Sequence, residues 1–95
     1  MLCAGLACAP WVYAQTYPAS SLKTSTGTLL HVGDSYQTLQ ARMGQSPNAM
    51  RSEIVTKNQQ SYTALYYVYE LDGKRYTITV IDNRVTNIEW ESLNP

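Results

Sequence analysis

Two β-rich runs joined by Asp72-Gly73 constrain this chain more than any other feature. The stretch from Ser61 to Ile81 reads SYTALYYVYELDGKRYTITVI. An Asp-Gly pair between such runs signals a two-residue hairpin turn, whose central positions both need positive φ. With Asp72 and Gly73 as the turn, Leu71 faces Lys74, Glu70 faces Arg75, Tyr69 faces Tyr76, Tyr67 faces Ile78 and Leu65 faces Val80. Alternation then puts Leu65, Tyr67, Tyr69, Leu71, Tyr76, Ile78 and Val80 on one face, which reads as a core face. The opposite face carries Ala64, Tyr66, Val68, Thr77 and Thr79, with Glu70 across from Arg75.

A further strand follows Ile81. Asp82-Asn83 is a second turn signal, and Val85, Ile88 and Trp90 supply the apolar positions. Val85 and Ile88 differ in parity. A strict two-residue turn with a regular ladder would put Asn87 and Glu89 on the core face, whereas pairing Ile78 with Ile88 and Tyr76 with Trp90 requires a longer turn or a bulge. Upstream, Thr26 to Val32 is a candidate strand. Asp34 is a candidate helix N-cap with Gln37 three residues on. Tyr36, Leu39, Gln40 and Met43 then fall at helical spacing, with the left-handed stop at Gly44 and Pro47 beyond it. The segment from Asn48 to Lys57 fits either a short helix through Met50 and Ile54 or a short strand from Ser52 to Thr56. These elements together predict an α+β two-layer sandwich, one or two short helices packed on a three- to four-stranded antiparallel sheet.

Residues 1–14 are apolar, small and uncharged, and Val12-Tyr13-Ala14 before Gln15 has the small-residue pattern of a signal-peptidase site. Expected domains are therefore a signal peptide over 1–14, a flexible tether over 15–25 and a single α+β domain over 26–95. No Lys or Arg precedes the apolar run, as it would if the segment began further upstream. Acylation at Cys8 is the weaker alternative, because Gly5 stands where a lipobox has Leu. The run is too short to span a bilayer. Both cysteines, Cys3 and Cys8, lie in this segment, so its removal leaves a domain with one histidine and no cysteine, too few ligands for structural zinc.

Seven basic and seven acidic side chains balance to zero net charge, which argues against nucleic-acid binding. Eight tyrosines and no phenylalanine point to a thin core with wet edges, since a tyrosine ring packs while its hydroxyl stays hydrated. Chemistry is sparse. His31 beside Asp34 could serve as a general base, but no nucleophile in a recognisable context accompanies it, and Asp34 is better explained as a cap. Glu89 and Glu91 flank Trp90, with nothing to complete a calcium shell. There is no phosphate loop or dinucleotide fingerprint. The expectation is a protein that is not an enzyme and takes no cofactor and no metal. Its candidate interaction residues are Tyr62, Tyr66, Val68, Thr77 and Thr79, on the second face of the sheet.

Val32-Gly33-Asp34-Ser35, an amphipathic helix and then Met43-Gly44-Gln45-Ser46-Pro47 resemble the opening signature of the SmpA/OmlA (BamE-like) family of small outer-membrane assembly lipoproteins, or of a related family of small periplasmic proteins. Tyr67-Val68-Tyr69 is similar to their Trp-x-Tyr strand, and Thr77 to Trp90 to their closing hairpin, with Asn83 in place of its turn glycine. The resemblance runs from about Thr26 to Trp90. It implies a BamE-like or β-lactamase-inhibitor-protein-like fold and a role in binding another envelope protein, as an assembly accessory or an inhibitor, in a periplasmic or secreted protein, or in an outer-membrane lipoprotein if Cys8 is acylated. The alternative reading is a glycan- or peptidoglycan-binding module that stacks sugars on the Tyr/Thr face.

Overall fold

The hairpin forms in the expected register. In a computed structural model that describes residues 16–93, Asp72 and Gly73 take φ of 51° and 75°, and the turn joins β5 (Gln60–Leu71) to β6 (Lys74–Ile81). Leu71 pairs with Lys74, Tyr69 with Tyr76, Tyr67 with Ile78 and Leu65 with Val80. The expected signal peptide, Cys3 and Cys8 lie outside the described residues.

Asp82 and Asn83, at φ 58° and 63°, make a second two-residue turn into β7 (Arg84–Ser92). Val80 pairs with Val85, the register shifts, and Thr79 pairs with Asn87. Thr86 is thus the extra residue of a β-bulge. The bulge answers the parity conflict: beyond it Ile78 pairs with Ile88 and Tyr76 with Trp90, and both Val85 and Ile88 are buried.

The segment from Asn48 to Lys57 resolves as a strand, β4 (Ala49–Lys57), entered from Pro47 and joined to β5 by a third turn at Asn58 and Gln59, both with positive φ. The consecutive Ile54, Val55 and Thr56 are β-branched, stiff at χ1 and better placed on a pleated strand than in a helix. At the other end of the chain the expected tether is folded. Thr16–Ala19 forms β1 against β7, and Ser21–Lys23 forms β2, which pairs with β3 (Leu29–His31) as a separate two-stranded sheet.

These additions overturn the expected α+β sandwich. The described chain is mostly β: a five-stranded antiparallel sheet in the order β1-β7-β6-β5-β4, a two-stranded sheet and one helix. The helix, α1 (Tyr36–Met43), is capped by Ser35, whose Oγ accepts from the Thr38 N–H at 3.1 Å. The cap therefore lies one residue beyond Asp34. Asp34 instead closes the turn before it, its carboxylate accepting from the His31 N–H at 2.8 Å. Gly44 ends the helix at φ 65°, donating to the Gln40 carbonyl. A Cβ there would meet Thr26 Cγ2 at 2.9 Å. That close approach arises because the β2–β3 loop serves the helix C-terminus: the hydroxyls of Thr26 and Ser25 donate to the carbonyls of Arg42 and Met43 at 2.7 and 3.2 Å, groups the helix leaves without an internal partner.

Leu22 and Leu30 from the small sheet and Leu39 and Met43 from α1 pack on Tyr67, Tyr69, Ile78, Val80, Val85 and Ile88. Each fully buried aliphatic side chain contributes about 1.5–3 kcal/mol. The start of the helix is strapped to β7 by Gly33 N–H to Val85 and Val85 N–H to Asp34, and to the turn before β7 by Tyr36 N–H to Asn83, each 2.8 Å. All covering elements therefore sit on one face of the large sheet, and no described element covers the other.

Candidate interaction surface

Alternation along β5 and β6 brings four of the five expected residues together on the uncovered face. Tyr66 pairs with Thr79 and Val68 with Thr77, a two-by-two block whose members are all half-buried. The block continues into β7 through Asn87 and Glu89, which pair with Thr79 and Thr77, and into β4 through Arg51 and Ala49, which pair with Tyr66 and Val68. Tyr62 stands apart. It lies four residues from Tyr66, about 14 Å along a strand, pairs with Val55, and its hydroxyl donates to Gln60 Oε1 at 2.8 Å. Between the two tyrosines, Ala64 forms a small, buried floor.

Charged groups frame the block at both ends. On one side Arg75 bridges Glu70 at 3.2 Å and Glu91 at 2.9 Å, joining β6 to both neighbouring strands. The facing of Glu70 and Arg75 followed from the hairpin; Glu91 joined them only once the bulge had set the register of β7. On the other side Tyr66 is held by β4: its hydroxyl donates to Glu53 Oε1 at 2.7 Å, and the Arg51 guanidinium lies 4.5 Å above its ring. The hydrogen bond to Glu53 is the main reason the Tyr66 phenol titrates above its ordinary value, with desolvation and the Glu53 charge adding to it and Arg51 opposing. Sequence reasoning missed Arg51 and Glu53 because the strand carrying them was unresolved. Asn58-Gln59, read as a two-residue turn, would have placed Arg51 opposite Tyr66.

His31 is exposed on β3. Its Nδ1 is 4.0 Å from Asp34 Oδ2, and Arg42 Nη1 is 3.9 Å from the same oxygen. The carboxylate that would orient His31 is thus shared with Arg42 and with the His31 N–H. Glu89 and Glu91 share the uncovered face, and Glu91 is held by Arg75. Among the described residues no group of three or more His, Cys, Asp or Glu side chains gathers to hold a metal ion, and no helix is long and apolar enough to cross a membrane. No protein-family model matches this chain, and neither does any curated protein or solved structure.

Proposed function

We propose that this protein is a small, non-catalytic interaction module of the cell envelope that receives a partner protein on the face built from Tyr66, Val68, Thr77 and Thr79. The observation that carries the reading is the asymmetry of the large sheet: the helix and the small sheet all pack on one face, and the described chain leaves the other open. Half-buried aromatic, aliphatic and hydroxyl side chains inside a charged frame have the anatomy of an interface, an apolar centre within a polar rim. The envelope location rests on the signal-like residues 1–14, and the role as assembly accessory or inhibitor on the resemblance of the Val32–Pro47 and Thr77–Trp90 motifs. The glycan reading loses support at Tyr66, because the Arg51 guanidinium already occupies a face of that ring.

The test places a photo-crosslinking residue at Thr79 in the full chain, expressed in cells, with Gln37 on the helix as the control position. A protein crosslink formed from position 79, absent from position 37 and lost in Val68→Asp with the domain still folded, supports the reading. Equal labelling from both positions, or no protein crosslink from position 79, overturns it.

A further inference from the structure

The two edges of the large sheet differ. On one side β1 is four residues long and contains Pro18, a short and proline-bearing edge of the kind that resists strand addition. On the other side β4 runs nine residues without proline, and Met50 and Ile54 on it are 60% and 67% exposed. Lys57 and Gln60 flank the two-residue turn, so they form a hydrogen-bonded pair. Counting back in twos, Val55, Glu53 and Arg51 also bond to β5, which leaves the N–H and C=O groups of Met50, Ser52, Ile54 and Thr56 directed out of the sheet.

We infer that β4 pairs with β4 of a second copy of this chain, antiparallel about a two-fold axis at Ser52, joining two five-stranded sheets into one. This inference does not depend on the docking face proposed above. Among the registers that pair seven or more residues of β4, this one alone makes the sequence AMRSEIVTK self-complementary in charge. Met50 falls opposite Ile54 of the second copy, Arg51 opposite Glu53, and Ala49 opposite Val55. The outward-directed residues meet one another, so Ser52 with Ser52 and the two Met50–Ile54 pairs exchange about six backbone hydrogen bonds. Arg51 and Glu53 occupy the non-hydrogen-bonded position, where the Cα atoms come within about 4.5 Å and side chains are closest. Neighbouring registers fail on charge. An axis at Arg51 opposes Arg51 to itself, an axis at Glu53 opposes Glu53 to itself, and an axis at Ile54 opposes Arg51 to Lys57; like charges directly opposite are destabilising. A second copy therefore fits this edge in sequence, in backbone direction and in charge. The two-fold closes the assembly, and the β1 edges at both ends keep it from growing into a fibre.

Sedimentation velocity on the full chain tests this, with circular dichroism to certify folding. The wild type is expected to sediment as a concentration-dependent dimer. Arg51→Glu or Glu53→Arg alone turns both symmetric pairs from attractive to repulsive and should raise the dimer Kd by about tenfold or more. The double reversal, Arg51→Glu with Glu53→Arg, should restore it. Ser52→Pro, which removes an outward N–H and no bond to β5, should give a folded monomer. A wild type that stays monomeric, a dimer indifferent to the single reversals, or a folded double reversal that fails to recover would each overturn the pairing.

Discussion

Tyr67 lies on the covered face of the sheet at 6% exposure, its ring stacked on Tyr36 with centroids 5.5 Å apart. Burial, with hydrogen bonding to Tyr36 as the second cause, pushes its phenol up to about 12. Tyr69, also on the covered face, is raised mainly by burial. The consequence for stability has a definite sign. An unfolded tyrosine titrates near pH 10, so between about pH 10 and 12 the unfolded chain gives up a proton that the folded chain keeps, and unfolding is favoured as pH rises. The contribution of Tyr67 is complete below about pH 10 and is lost as pH climbs through its folded value. Tyr67→Phe deletes the titrating group and keeps the stacked ring. Its urea midpoint should therefore fall less than that of the wild type between about pH 9 and pH 11. Equal falls in the two proteins would show that the buried phenol is not the group that governs alkaline stability. The fourteen residues from Tyr67 to Val80 hold four of the ten buried cluster positions, Tyr67, Tyr69, Ile78 and Val80, and Leu65 and Leu71 pack against them.

At the scale of elements, the turns decide what pairs with what. Asp72-Gly73, Asp82-Asn83 and Asn58-Gln59 are all two-residue turns with positive φ at both positions, and such turns lock register. The β6–β7 ladder adds one bulge to that rule, which yields a sharp expectation. Thr86 is the unpaired residue, so its deletion leaves Val80 opposite Val85, Thr79 opposite Asn87 and Ile78 opposite Ile88, a regular ladder with every side chain on its original face. Deleting Thr86 should cost no more than about 1 kcal/mol in chemical denaturation, whereas deleting Asp72, which destroys a two-residue turn, should cost several times that. Comparable losses would mean that the bulge itself, with its local twist, is required. The same reasoning explains which parts were legible beforehand. The central hairpin, its two faces and the need for a bulge could be read because turn chemistry and parity are local. Tyr66, Val68, Thr77 and Thr79 were placed correctly for the same reason. β4 could not be read, because neither of its faces is well covered and its alternation shows no contrast between apolar and polar positions. β1 and β2 are four and three residues long in a polar segment that composition disguises as a linker, and β1 pairs with the distant β7, whereas β3 lies within the strand expected from Thr26 to Val32. Asp34 and Ser35 are both good capping residues in adjacent positions, and composition alone could not choose between them.

Across the whole molecule, the residues before Ser20 decide whether β7 is an interior strand or an edge. Tyr17 pairs with Trp90 and its ring lies 4.7 Å from the indole, Lys74 Nζ sits 4.8 Å from the indole centroid, and Ala19 packs against the buried cluster. Removing residues 1–19 would strip β7 of its partner from Ile88 to Glu91 and expose one side of Trp90. It would leave the strap of Gly33 and Asp34 on Val85 in place, so the loss should be partial. An aromatic pair and a short strand of this size are together worth about 2 kcal/mol. The chain has two tryptophans, Trp11 and Trp90, and the truncation deletes the first, so fluorescence reports on Trp90 alone when compared with a full-length Trp11→Phe chain. The expected result is a red-shifted emission and a lower denaturation midpoint in the truncated protein. Identical emission and an identical midpoint would return residues 15–19 to the role of a tether, with β1 contributing nothing that the rest of the sheet needs.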